Sequence, residues 1–267
     1  MKFCTSYFQP DFIRNQVQEV RFSITALMPA LEYAGRHPDK KVIIEILSLA
    51  DSKMPSVNKL YDLQQENSNV YYDFYALYDL VSYSRAHDHA PRHIMLHQPV
   101  DTWGLIQILM YYHVSDITID EPLTFDMPSV FKDVKSHGIN IRIRPNIAKN
   151  RYEKEMEIDD GLHHFWVLPQ HLNFYEDYID VIDLIDNNSE REAALVKTYL
   201  SGNYEASLSL LVEGIEKDIG APFITDKFVT RRLSCGQICM KNKDYCHHCD
   251  QYAKMYEVIA AQRKSSN

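Results

Sequence analysis

Short runs of β-branched and aromatic residues recur along the chain roughly every 20 to 30 residues, with amphipathic stretches of helical period between them. The runs are Phe3–Phe8, Val42–Leu47, Val70–Tyr75, His93–Leu96, Asp116–Ile119, Ile139–Arg144, Phe165–Leu168 and Ile179–Leu184. The stretches between them include Phe12–Tyr33, Ser56–Glu66, Thr102–His113 and Pro128–His137. Pro55 and Pro128 mark helix starts and Gly138 a helix end. Strands that alternate with helices predict a mainly parallel sheet. Eight such strands predict an α/β fold of the closed (β/α)8 (TIM-like) type, with an irregular late section because Pro169–Tyr178 is short for a full helix. A doubly wound open sheet is the alternative.

After the eighth run the pattern changes. Glu190–Ser201 and Tyr204–Lys217 read as two helices joined by Gly202 and Asn203, and Asp250–Arg263 reads as a closing helix. The expected division is a barrel over residues 1–188 and a helical, metal-binding extension over 189–267.

That extension holds the most specific motif, CGQICMKNKDYCHHC, with Cys235, Cys239, Cys246 and Cys249 in two close pairs around a polar turn. Two such pairs converge on one tetrahedral ion, which predicts a structural zinc site; a 4Fe-4S cluster takes the same four thiolates and is the alternative. His247 and His248 could stand in for a thiolate. Met1–Thr5 carries no apolar leader, so a cytoplasmic, reducing compartment is expected, and there paired cysteines serve metals more often than disulfides. Cys4, in a strand, is expected in the core.

Composition narrows the function classes. The 267 residues are 45% hydrophobic and 24% charged, as in ordinary globular proteins. A net charge of −9 lacks the basic footprint of a nucleic-acid binder, and Arg231-Arg232 is the one compact basic pair. The longest apolar stretches, Val42–Leu47 and Leu105–Met110, are too short to span a membrane. Only 8 glycines occur and no phosphate-loop pattern, so nucleotide chemistry of that kind is not expected. Serine nucleophile elbows, HExxH helices and kinase motifs are also absent.

In a parallel barrel the ligand lies over the C-terminal strand ends. Reading each run to its end gives Glu45, Asp73, His97, Glu121, Arg144, Asn146, Gln170 and His171. A carboxylate inside an apolar strand needs a partner, so Glu45 and Asp73 are expected to pair with Arg142 or Arg144 across the barrel. Glu45, Asp73, His97, Glu121 and Arg144 form the candidate catalytic set. The carboxylates and the histidine would move protons, and the arginine would grip an anionic group. The bland reading is a buried polar network that fills the interior. His87-Asp88-His89 reads as surface, and Trp103 and Trp166 as packing anchors.

The stretch VSDITIDEPLTFDMPSVFKDVKSHGINIRIRPN, Val114–Asn146, resembles one unit of the collagenase-like peptidase barrels: a strand ending in an acidic loop, a helix, then a GIxIR-like strand. The resemblance implies a barrel. That family's strand followed by HG and a cysteine is missing, as is the CxxxCxxC of radical-SAM barrels, so it implies no activity. Three functions stay open: an enzyme acting on a small polar or anionic ligand at the strand-end mouth, a non-catalytic assembly protein with a structural zinc, and an iron–sulfur enzyme. A small molecule or a protein partner fits these; nucleic acid and membrane do not.

Overall fold

A computed structural model describes residues 1–51, 54–88, 93–100, 102–119, 127–145, 166–212, 219–233 and 248–265. Eight parallel strands close into a barrel in chain order: β1 Lys2–Ser6, β2 Glu19–Ser23, β3 Lys41–Ile46, β4 Val70–Phe74, β5 Ile94–Val100, β6 Asp116–Ile119, β7 Asn140–Ile143 and β8 Val181–Asp183. The ring closes where Lys2, Phe3 and Cys4 pair with Val181, Ile182 and Asp183. Helices Leu27–Arg36, Val57–Glu66, Leu77–Ala86, Trp103–Tyr111, Met127–Ser136 and Ser189–Ser201 follow strands around it.

The strand pleat sorts each sequence by parity. Val42, Ile44 and Ile46 of β3 join the large core beneath the helices, whereas Ile43 joins Cys4, Met95 and Val181 in a second, smaller cluster. Helix ends follow ordinary punctuation. Ser56, Thr102 and Asn188 accept backbone N–H bonds from the first turns of their helices. Gly202, at φ +68°, ends helix Ser189–Ser201 in the left-handed conformation that a side chain would resist.

The count of eight strands holds, but two members differ. Phe12–Tyr33 is not one helix. It holds a short helix Asp11–Arg14, then β2, then a 3-10 turn and helix Leu27–Arg36. β2 escapes a search for apolar runs because alternate residues, Glu19, Arg21 and Ser23, are polar, with Val20 and Phe22 in the large core between them. Phe165–Leu168 is no strand in its described part. Trp166–Leu168 is buried coil that enters a 3-10 segment, Pro169–Tyr175. Trp166 lies parallel to Phe228 and the Val167 carbonyl accepts from the Tyr199 hydroxyl at 2.6 Å, so this apolar run fills space without joining the sheet. Within Tyr204–Lys217 the described residues form helix only over Leu208–Leu211.

Helix Ser189–Ser201 reaches back to the first strand. Its buried Glu192 accepts from the Ser6 N–H at 2.6 Å, the Ser6 hydroxyl at 3.0 Å and the Thr5 hydroxyl. Further on, helix Asp226–Leu233 meets the 3-10 segment through His171 Nε2 and Asp226 at 3.3 Å, and Tyr252 of helix His248–Ser265 packs on Phe228. None of the described helices is long and apolar enough to cross a membrane.

Candidate active site at the barrel mouth

Five carboxylates and four cations lie along the strands: Glu19, Glu45, Asp73, Asp116 and Asp183 against Arg21, Lys41, Arg142 and Arg144. They fall into two groups. Toward the strand starts, fully buried Arg142 donates to Glu19 at 2.5 Å and to Asp116 at 3.3 Å, and Lys41 meets Asp116 at 2.5 Å. Burial alone would raise the Asp116 pKa, but Lys41 and Arg142 outweigh it and hold the carboxyl down at about 2. These groups are closed to solvent and their chemistry is mutual neutralisation.

Toward the strand ends the second group is partly open. Arg21 of β2 is its centre. Its Nη1 donates to Asp73 and lies 3.7 Å from Glu45, and its Nη2 is 3.3 Å from Asp183. Asp183 of β8 joins three arginines, with Arg144 Nε at 3.4 Å and Arg142 Nη2 at 3.8 Å. Burial opposes the charge on Asp183, and the arginines overcome it, keeping the carboxyl ionised well below the usual range.

His97 completes the group. Its Nδ1 is 2.9 Å from Asp73 Oδ2 and 3.3 Å from Arg21 Nη1, and its ring stacks on Tyr75 with 3.8 Å between centroids. Burial lowers its pKa first, and Arg144 and Arg21 add to this, bringing it to about 3. The imidazole is therefore neutral near pH 7. An ionised carboxylate only accepts hydrogen bonds, so the shorter contact puts the proton on Nδ1 and the free lone pair on Nε2. Among the described residues Nε2 has no hydrogen-bond partner. Arg144 likewise spends only Nε on protein among the described residues, and its side chain is 23% exposed.

Four of the five sequence candidates, Glu45, Asp73, His97 and Arg144, thus meet around Arg21. Glu121 lies outside the described residues, as do Asn146 and the cysteine motif, of which only Cys249 falls in a described helix and its side chain does not. The expected cross-barrel pairing is corrected. Glu45 faces Arg21 from the adjacent strand β3 and Asp73 from the next, β4, while Arg142 belongs to the lower group and Arg144 to Asp183. β5 also runs on through Gln98 and Pro99 to Val100, with a register shift after Leu96, so His97 lies within a strand and not at its end. Gln170 and His171 lie apart, bonded to Tyr204 and Asp226. Of the two tryptophans Trp166 is a core anchor, while Trp103 is exposed. Cys4 is buried as expected, and burial, then Asp183, pushes its thiol up to about 12.

Arg21, Asp183 and Tyr75 were not among the sequence candidates. Arg21 was hidden with β2. Asp183 carried a signal in the run VIDLID, where a carboxylate sits at an inward position two residues from Val181.

The depressed histidine gives a direct test. The folded pKa of His97 lies below its unfolded value near 6.5, so the unfolded chain takes up the proton first. Its contribution to stability is complete above about pH 6.5 and falls as pH drops toward 3, by up to ~1.4 kcal/mol per pH unit. Urea midpoints measured from pH 7 to pH 4 should decline less steeply in His97→Gln than in the wild type. His93 and His171, also lowered by burial, add to the slope, and the depressed carboxyls of Asp116 and Asp183 add to it toward pH 4. Parallel curves would contradict a neutral His97.

No family model matches the chain, and no curated protein matches it. Two solved structures are similar in fold. One is a glycerophosphodiester phosphodiesterase from Parabacteroides distasonis, with 9% identity over 74% of this chain and 98% of that one, at a TM-score of 0.44. The other is a U32 peptidase, with 10% identity over 70% of this chain and 93% of that one, also at 0.44. The peptidase is of the collagenase-like class that Val114–Asn146 resembles. At these values neither similarity bears on activity.

Proposed function

We propose that this barrel protein is an enzyme that transfers a proton to or from a small anionic substrate at the strand-end mouth. His97 Nε2 is the general base, Asp73 fixes its tautomer, and Arg21 holds Asp73 in place. Arg144 binds the substrate's carboxylate or phosphate through its uncommitted Nη groups. Glu45, 20% exposed beside Arg21, and Glu121 are the further proton carriers. The observation that carries this reading is the neutral His97 with an unshared Nε2, next to an arginine with donors to spare. A general base contributes about 10²–10⁴ to rate when its pKa lies near the working pH, and an anion bound to Arg144 would offset one of the charges that lower His97 and move it toward that range. The open charges at the mouth support an enzyme over a rigid assembly body, which needs no such set.

The test uses inorganic phosphate and malonate as probes, followed by calorimetry and by the His97 ring signals in NMR. Both anions should perturb those signals in the wild type, and Arg144→Met should remove the binding while leaving the unfolding free energy within about 1 kcal/mol of the wild type. Silence from both probes at millimolar concentration, or unaltered binding by Arg144→Met, would sink the proposal.

A second component rests on sequence alone. The spacing of Cys235, Cys239, Cys246 and Cys249 supports one structural zinc per chain. Protein purified without oxygen should carry one equivalent of zinc and no visible absorbance. Iron with inorganic sulfide and a brown colour would replace that reading with a redox one.

A further inference from the structure

The first five strand-to-helix connections each expose at least one large apolar side chain at the end of the barrel that carries Arg144, and the first exposes Phe12 as well. They are Phe8 after β1, Met28 at the start of helix Leu27–Arg36, Leu47 after β3, Tyr78 at the start of helix Leu77–Ala86, and Trp103 at the start of helix Trp103–Tyr111. Their exposures run from 38% to 79%. Toward the opposite end, where helices return to strands, the last turn of helix Trp103–Tyr111 exposes Ile108 and Tyr111. Single exposed apolar residues need no explanation, but five in succession on one face of a barrel form a pattern.

The rim surrounds a mouth whose free donors belong to a cation. Arg144 offers Nη groups, and Arg21 stands behind it. A ligand that satisfies both features has one anionic head and an apolar body. The head would meet Arg144, and the body would lie across the rim and cover part of it. We infer that the substrate class of the proposed enzyme is a soluble, monomeric amphiphile, such as an alkyl phosphate or fatty carboxylate. This rests on the proposed function and names the kind of molecule its mouth selects. A membrane surface is disfavoured as the occupant, since a chain of net charge −9 is repelled by anionic lipid.

The probes are inorganic phosphate, butyl phosphate and octyl phosphate, each below its micellar concentration, titrated by calorimetry. Affinity should rise along the series, roughly two- to fourfold per methylene that reaches the rim. The double variant Leu47→Ser with Tyr78→Ser should flatten that rise and leave phosphate binding unchanged, because both residues are exposed and outside the proton-transfer group. Equal affinities across the series in the wild type would overturn the amphiphile and leave the proposed enzyme standing. Binding of octyl phosphate that survives Arg144→Met would also overturn it, as adsorption without a head-group site. Failure of all three phosphates would remove the underlying function as well. Capture of the protein by phosphatidylglycerol vesicles, with no binding of monomeric octyl phosphate, would assign the rim to a membrane and overturn the inference.

Discussion

Arg142→Met should destabilise the barrel by roughly 3–5 kcal/mol, a large part of the stability of a typical domain. The guanidinium is fully buried and touches Glu19, Asp116 and Asp183, whose side chains are as deeply enclosed. Methionine matches much of its volume, so the loss comes from Glu19, left facing no cation among the described residues, and from Asp116 and Asp183, which keep Lys41 and the pair Arg21 and Arg144 but lose one partner each. Burial already opposes the charge on Asp183 and Asp116, and Arg142 is one of the cations that overcome it. The Asp116 and Asp183 carboxyls should be held down less firmly in the variant, so its stability should fall less steeply with acidification than that of the wild type. Urea unfolding of both proteins at pH 7 and pH 5 checks this. A wild-type midpoint in Arg142→Met at pH 7 would mean that the lower group is not a charge-compensated unit. If the variant is insoluble, the double change that also makes Glu19→Gln should restore folding, since Glu19 is the carboxylate left without a cation while Asp116 keeps Lys41.

The second large effect belongs to Arg21 and is electrostatic in a different way. Burial and then Arg144 lower the His97 pKa most, and Arg21 adds to them by two routes: its own positive charge lies 3.3 Å from Nδ1, and it occupies the carboxylate of Asp73 that would otherwise favour an imidazolium. Arg21→Met removes the repulsion and frees Asp73 together. The His97 pKa should climb by about 1–3 units, toward the ordinary histidine range. NMR titration of the His97 ring protons reads this directly. Arg21→Lys keeps a cation and should restore most of the depression. A histidine that stays uncharged above pH 5 in Arg21→Met would show that burial and Arg144 suffice, and would remove Arg21 from the positioning role given to it.

The barrel was legible because most of its strands announce themselves twice, by β-branched content and by the helices that separate them. VIIEIL and VYYDFY also announced the inward carboxylates Glu45 and Asp73, since a charge in such a run must face something. The partner was harder. Cross-strand neighbours in a barrel are fixed by stagger, which sequence spacing does not contain, so Arg142 and Arg144 were natural choices and Arg21 was not considered. β2 was lost for the same reason that it matters. Its inward positions are polar and sit among helix-compatible residues, so the strand carrying the central arginine has the weakest strand signature. His97 was found for partly the wrong reason: proline at position 99 suggested a strand end, yet the strand passes through it. Trp166–Leu168 shows the limit of apolar runs, which report burial and leave the backbone's partner unspecified.

The closure of the ring between β1 and β8 has a consequence for how the chain is made. During synthesis Lys2–Cys4 emerges first and pairs early with β2 alone; its other edge waits for Val181–Asp183, about 180 residues later. Until then three arginines, Arg21, Arg142 and Arg144, lack the aspartate they share, and the Ser6 backbone lacks Glu192. A nascent chain stopped before Asp183 thus has an open sheet edge and an Arg144 without its carboxylate, and would be drawn toward chaperones or aggregation. The last strand acts as a release signal: ribosome-bound chains should turn protease-resistant only after it and the Glu192 helix have cleared the exit tunnel, so that nothing short of the finished barrel survives.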